Sequence, residues 1–217
     1  MFIDTVETLV ETLRRELILG EEQLEQLNDD FLSQFTCPRA LAKYLVRADW
    51  LTVYQVNHLF DNRAHDLMIG PYCILDRLGD GGVSEVLKAW DTSKGRYVAL
   101  KVLRDGLASE ADAVRQFQRE MQAVTRLSHP NIIETYDAGV IGSTYYFAME
   151  FVYGTDLRRV IELSGPLPIG DACDYIRQVA SGLQHAHQLG LVHRDIKPAN
   201  LILIHPPGHE KPRPGSA

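Results

Sequence analysis

The 217-residue sequence predicts an α+β protein, with a small all-α module followed by an antiparallel sheet and its helices. Two observations carry this. Apolar residues recur at helical spacing through residues 3–62. At residue 69 the pattern switches to short runs rich in aliphatic and aromatic residues, with two further helical stretches among and after them.

The elements follow in chain order. Ile3, Val6, Leu9, Val10, Leu13 and Leu17 share one face of a helix over 3–19, with Gly20 as its expected C-terminal cap. Leu24, Leu27, Phe31, Leu32 and Phe35 line a second helix, and Pro38 starts a third with Leu41, Tyr44 and Leu45. Thr52 and Gln55 have capping-box spacing at the start of a fourth, and Leu51 and Val56 sit at the hydrophobic-staple positions. Together these read as a small bundle. Gly70 and Pro71 then punctuate the chain, and 72–78, 85–90, 96–103 and 144–152 read as strands. A helix is expected over 109–127, through Ala113, Phe117, Met121, Val124 and Leu127. A long one is expected over 169–189, through Ala172, Ile176, Val179, Ala180, Leu183 and Ala186. The last 13 residues, 205–217, hold 4 of the chain's 10 prolines and read as a disordered tail. The expected domains are 1–68, 69–204 and that tail.

Composition narrows the classes. Apolar residues are 45% and charged residues 24%, as in ordinary folded domains. No run approaches the ~20 apolar residues of a membrane span. The N-terminus mixes acids into its apolar positions and does not read as a secretory signal. The net charge of −7 divides into −6 for residues 1–68 and −1 for 69–217, which argues against nucleic acid as a partner. Cys37, Cys73 and Cys173 are far apart and in no metal spacing, which suits a reducing cytoplasm. His185 and His187 face different sides of a helix. His205 and His209 are separated by Pro206 and Pro207 and read as tail residues.

Three motifs carry chemistry. The turn Gly79-Asp80-Gly81-Gly82-Val83-Ser84 lies between two strands, where a dinucleotide fingerprint would open a helix. It reads as a flap whose backbone approaches phosphates, or as a hairpin turn using glycine's positive φ. Lys101 sits in the apolar strand Val98-Ala99-Leu100-Lys101. It points inward against an anion, for which Glu120 is the candidate, or it snorkels outward from an edge. The third motif is Leu191-Val192-His193-Arg194-Asp195-Ile196-Lys197-Pro198-Ala199-Asn200-Leu201-Ile202-Leu203. It resembles the catalytic loop of protein kinases, in the style of bacterial serine/threonine kinases, with Asp195, Lys197 and Asn200 at the matching spacing. Met149-Glu150-Phe151-Val152 then looks like the family's hinge, and Leu127-Ser128-His129-Pro130-Asn131-Ile132-Ile133 like the link after its glutamate helix.

The resemblance covers about residues 72–204 and implies a kinase-like N-lobe of about five antiparallel strands and one helix, with a partial helical C-lobe. It implies transfer of the ATP γ-phosphate to serine or threonine hydroxyls of a protein, with ATP and Mg2+ bound. Leu78, Val86 and Ala99 would sandwich the adenine, and the backbone near Glu150 and Val152 would bond its edge. Gly79, Asp80, Gly81, Gly82, Val83, Ser84 and Glu85 would cover the phosphates, and Asp156 would bind the ribose. Lys101, held by Glu120, would take the α- and β-phosphates. Asp195 and Lys197 would be catalytic, and Asn200 would ligate magnesium.

Ser84 stands where the family has its third loop glycine. After Asn200 the family continues through a strand to Asp-Phe-Gly, whereas here the expected course is directly into the proline-rich tail, leaving Ile176, Val179 and Leu183 uncovered. This sets the alternative function: a nucleotide-binding pseudokinase, a docking module or a non-functional fragment. The string Pro38-Arg39-Ala40-Leu41-Ala42 to Trp50-Leu51-Thr52-Val53-Tyr54-Gln55-Val56 resembles a helical segment before the kinase domain of some bacterial kinases, with docking of a partner or regulation as its expected role.

Overall fold

A computed structural model describes residues 2–104, 111–125 and 127–205, without the side chains of 111, 120 and 122–124. Five helices open the chain: α1 (Val6–Arg15), α2 (Glu21–Gln26), α3 (Asp29–Leu32), α4 (Pro38–Arg47) and α5 (Val53–Phe60). The helix expected over 3–19 is shorter at both ends. Thr5 caps it, with its side chain accepting from Thr8 N–H. Leu17 ends it in the left-handed region at φ 53°, with Ile18 N–H donating to Leu13 O at 3.1 Å. Gly20 therefore does not cap α1. It stands at the N-cap of α2. The second expected helix is two, because Asn28 starts α3 by accepting from Phe31 N–H at 3.0 Å. The Thr52/Gln55 capping box forms as expected.

The main sheet has six strands in the order β1-β2-β3-β4-β6-β5. They are β1 (Met68–Ile69), β2 (Tyr72–Asp80), β3 (Ser84–Asp91), β4 (Arg96–Leu103), β5 (Thr135–Ile141) and β6 (Thr144–Glu150). Every pairing is antiparallel. The sheet curls strongly: the Tyr72 hydroxyl on β2 and the Tyr146 hydroxyl on β6 both donate to one Asp137 carboxylate oxygen on β5, at 3.2 and 2.8 Å.

Strand alternation gives the sheet two different faces. Leu87, Ala89, Val98, Leu100, Val102, Tyr146 and Ala148 join one core with Leu9, Leu13, Leu41, Leu45 and Leu59 of the helical segment. The boundary at residue 68 is thus a change of secondary structure without a gap in packing. On the other face, Leu103 and Phe147 pack against Ala113 and Phe117 of α6 (Ala111–Val124). Residues 109, 110 and 126, expected in this helix, lie outside the described residues.

Past β6 come β7 (Gly154–Asp156), α7 (Leu157–Ser164), α8 (Ile169–Gln188) and β8 (Ile202–Ile204). β8 corrects the expectation that no strand follows Asn200, since it pairs antiparallel with β7. His205 belongs to this ladder and not to the tail: its N–H donates to Tyr153 O at 2.8 Å. His209 lies outside the described residues. On α8 only Gly182 and Ala186 are buried. Ile176 is 58% exposed, as expected, while Val179 and Leu183 are half-buried.

Candidate active site

The glycine turn is built by the β2–β3 hairpin. Gly81 N–H donates to Ser84 O at 2.9 Å, and a Cβ on Gly81 would stand 2.9 Å from that same oxygen, so only glycine fits there. At Gly79 and Gly82 an added Cβ would meet nothing within 4 Å, so the backbone stays open to a ligand. Leu78, at a bulge between Arg77 and Gly79, is 48% exposed. Val83 packs toward the α6 cluster.

Arg104, one residue past β4, ties this turn down. Its backbone N–H donates to Val83 O at 3.1 Å and its Nε to Gly81 O at 2.8 Å. Its guanidinium also pairs with the Asp80 carboxylate, which Arg77 reaches from the other side at 3.2 Å. Sequence reasoning missed Arg104. The pairing of Ser84 with Leu103, which brings residue 104 beside the turn, becomes visible only in the register.

The register also places Lys101. It lies opposite Val86 on β3 and Phe147 on β6, while Ala99 lies opposite Met149. Directly opposed residues share a face, so Val86, Ala99 and Lys101 stand with Phe147 on the α6 side. The half-buried Lys101 ammonium lies 5.3 Å from the Phe147 ring centroid, and that ring packs 5.5 Å from Phe117 of α6. The Glu120 side chain lies outside the described residues, and the expected ion pair with it. Glu85 is not brought to this face: it lies opposite Val102, whose side chain belongs to the core shared with the helices.

Glu150 ends β6 opposite Val98, and its N–H donates to Glu134 O at 2.8 Å. Val152 is half-buried in the following linker. Nearby, the Lys88 ammonium lies over the Tyr97 and Phe151 rings at 4.5 and 4.6 Å. Asp156, expected at a ribose, caps α7 by accepting from Arg159 N–H at 3.0 Å.

The loop after α8 gathers its three expected residues. Lys197 Nζ lies 2.8 Å from Asp195 Oδ2, and Asn200 Nδ2 donates to that oxygen at 3.0 Å and to Asp195 O at 2.8 Å. Asp195 N–H donates to His193 Nδ1 at 3.3 Å, and Arg194 takes a left-handed φ of 64°. The ammonium of Lys197, then the amide of Asn200, hold the exposed Asp195 carboxyl below the usual aspartate range. The β7–β8 ladder ties this loop to the chain just past Glu150–Val152. Leu157 N–H donates to Leu201 O at 2.9 Å, and a Cβ on Gly154 would stand 2.5 Å from an Ile202 methyl.

These residues fit a nucleotide and a magnesium ion. The glycine turn offers open backbone, Lys101 offers a cation on the same sheet face, and Asn200 and Asp195 offer the hard oxygen donors that magnesium takes. Among the described residues no group of three or more His, Cys, Asp or Glu stands ready for a metal. No helix of the described residues is long and apolar enough to cross a membrane.

Comparison with known proteins matches residues 72–211 to the protein kinase domain family. Serine/threonine-protein kinase PrkC of Bacillus subtilis is 42% identical over 136 residues, which are 63% of this chain and 21% of that protein. Serine/threonine-protein kinase PknD of Mycobacterium tuberculosis is 39% identical over 134 residues, 62% of this chain and 20% of that one. The chain thus spans about a fifth of the length of these relatives. The crystal structure of the Mycobacterium tuberculosis PknI kinase domain superposes with a TM-score of 0.55 at 34% identity, covering 63% of this chain and 56% of that one. The match runs from the first long strand through the Asp195 loop and takes in well over half of the sequence, so the chain belongs to the protein kinase family.

Proposed function

We propose that this chain carries the nucleotide site and catalytic loop of a serine/threonine protein kinase, which transfers the ATP γ-phosphate to serine or threonine hydroxyls of a protein. The observation that carries the reading is the Asp195, Lys197 and Asn200 constellation, bonded at 2.8–3.0 Å. Phosphoryl transfer asks mainly for positioning and charge neutralisation. Asp195, kept ionised by its neighbours, orients the substrate hydroxyl and accepts its proton. Lys197 neutralises the γ-phosphate, and Asn200 presents its amide oxygen to magnesium. Magnesium, when bound, offsets the charge of the phosphate oxygens. Lys101 binds the α- and β-phosphates beside the glycine turn. Val86, Ala99 and Leu78 enclose the adenine, and the backbone at Glu150 and Val152 bonds its edge. The free Cys37, Cys73 and Cys173 support a reducing, cytoplasmic setting.

A second reading is nucleotide binding without transfer. The donor set at Asn200 supports it, because Asn200 is a neutral amide and among the described residues no group of three or more His, Cys, Asp or Glu could hold a metal. Incubating the purified chain with γ-labelled ATP, Mg2+ and a generic protein substrate separates the two. Transfer that Asp195→Asn abolishes supports the kinase, and nucleotide binding without transfer supports the second reading. Absence of nucleotide binding overturns both.

A further inference from the structure

We propose that the N-terminal helical segment is a positioning element of the nucleotide site, acting through Thr52 and Gln55 on the strand that leads into the glycine turn. The inference rests on the reading of that turn as a phosphate cover.

An ordinary capping box satisfies two N–H groups at a helix start and stops there. This one goes further. Thr52 Oγ1 accepts from Gln55 N–H at 3.1 Å and also donates to Leu75 O on β2 at 2.6 Å. Gln55 Oε1 accepts from Thr52 N–H at 2.9 Å, while its Nε2 donates to Ile74 O at 2.9 Å and lies 3.5 Å from Cys73 Sγ. The Gln55 side chain is 1% exposed, so a lost donor there would leave a buried carbonyl unpaired.

The two carbonyls stand at a particular place. β2 pairs with β3 through Ile74, then skips to Asp76, so Leu75 has no partner on β3. A bulged residue loses its ladder bonds and bends its strand, and here the helical segment supplies the missing bond. A second irregularity follows between Arg77 and Gly79, and the glycine turn begins at once. The course of β2 from Ile74 to Gly79 is therefore set from behind by α5. Burial of one core across both segments holds α5 in place. The geometry makes residues 52 and 55 determinants of where the turn sits over the Lys101 face.

The test uses the full 217-residue chain, with amide hydrogen exchange across residues 76–86 and the affinity of a fluorescent ATP analogue as readouts. Thr52→Val should speed exchange in this hairpin and weaken nucleotide binding, each by about tenfold, the scale of one buried hydrogen bond. Thr52→Ser, which keeps the hydroxyl, should restore both. Gln55→Met, which keeps the volume but removes both the Nε2 donor to Ile74 O and the Oε1 acceptor of the Thr52 N–H, carries the same expectation if the valine variant fails to fold. Leu13→Ala, in the same core, serves as the control: it should lower the thermal midpoint at least as much but loosen the hairpin and weaken nucleotide binding clearly less than the Thr52 variant does. Unchanged hairpin exchange in the Thr52 and Gln55 variants would overturn the proposal, as would equal loosening by Leu13→Ala. If the unaltered chain binds no nucleotide, the site reading fails, while the exchange measurement still decides the mechanical one.

Discussion

Asp195 is held by its neighbours and not by burial. A carboxylate in water keeps a pKa near ~3.9, and the Lys197 ammonium at 2.8 Å favours the charged form and lowers it. With the folded value depressed, the interaction is present above the unfolded pKa and is lost as pH falls through the folded one. Lys197→Met should therefore move the Asp195 pKa up toward the ordinary value, followed by carbon NMR of its carboxyl group. An unmoved titration would show that Asn200 alone sets it. This group was legible in the sequence because its members are five residues apart and their spacing is itself the motif. Arg104 was not legible, because its tie to Asp80, Gly81 and Val83 spans more than 20 residues of chain and arises only from the strand register.

At the scale of elements, local signals succeeded where they were self-contained. Thr52 with Gln55 fixed the start of α5, and strong aliphatic runs marked β2, β3, β4 and β6. β7 and β8 have three residues each and exist only as partners of one another, and β5, with Gly139 and Asp137 in it, shows no clean alternation. The end of α1 was misplaced for a different reason. Glycine is the usual left-handed residue at a helix end, yet Leu17 takes that conformation and is 70% exposed. Leu17→Gly should relieve this and stabilise the chain by about 0.5–1 kcal/mol, read as a higher denaturation midpoint. A loss of stability would mean that the leucine's packing outweighs its strain. Gly154→Ala should do the opposite. A methyl there meets Ile202 and Leu203 O at 2.5 and 2.6 Å, so the β7–β8 ladder must part, at a cost of about 1–3 kcal/mol. Faster amide exchange at residues 202–205, with β3 and β4 unchanged, is the expected signature.

The molecule as a whole is organised around a sheet with two differently used faces. One is sealed by five helices into a shared core, and the other carries Val86, Ala99 and Lys101 beside α6. The sequence announced both segments, through the change of period at residue 69. It did not announce that they share a core, because an amphipathic helix does not name the surface it will cover. Nucleotide binding at the Lys101 face is open to equilibrium titration of the 217-residue chain with Mg·ATP. Binding should be saturable, and Lys101→Met should weaken it at least tenfold while the thermal midpoint of the free protein stays within a few degrees. Equal binding by the two proteins, or none by either, would contradict nucleotide binding at this face.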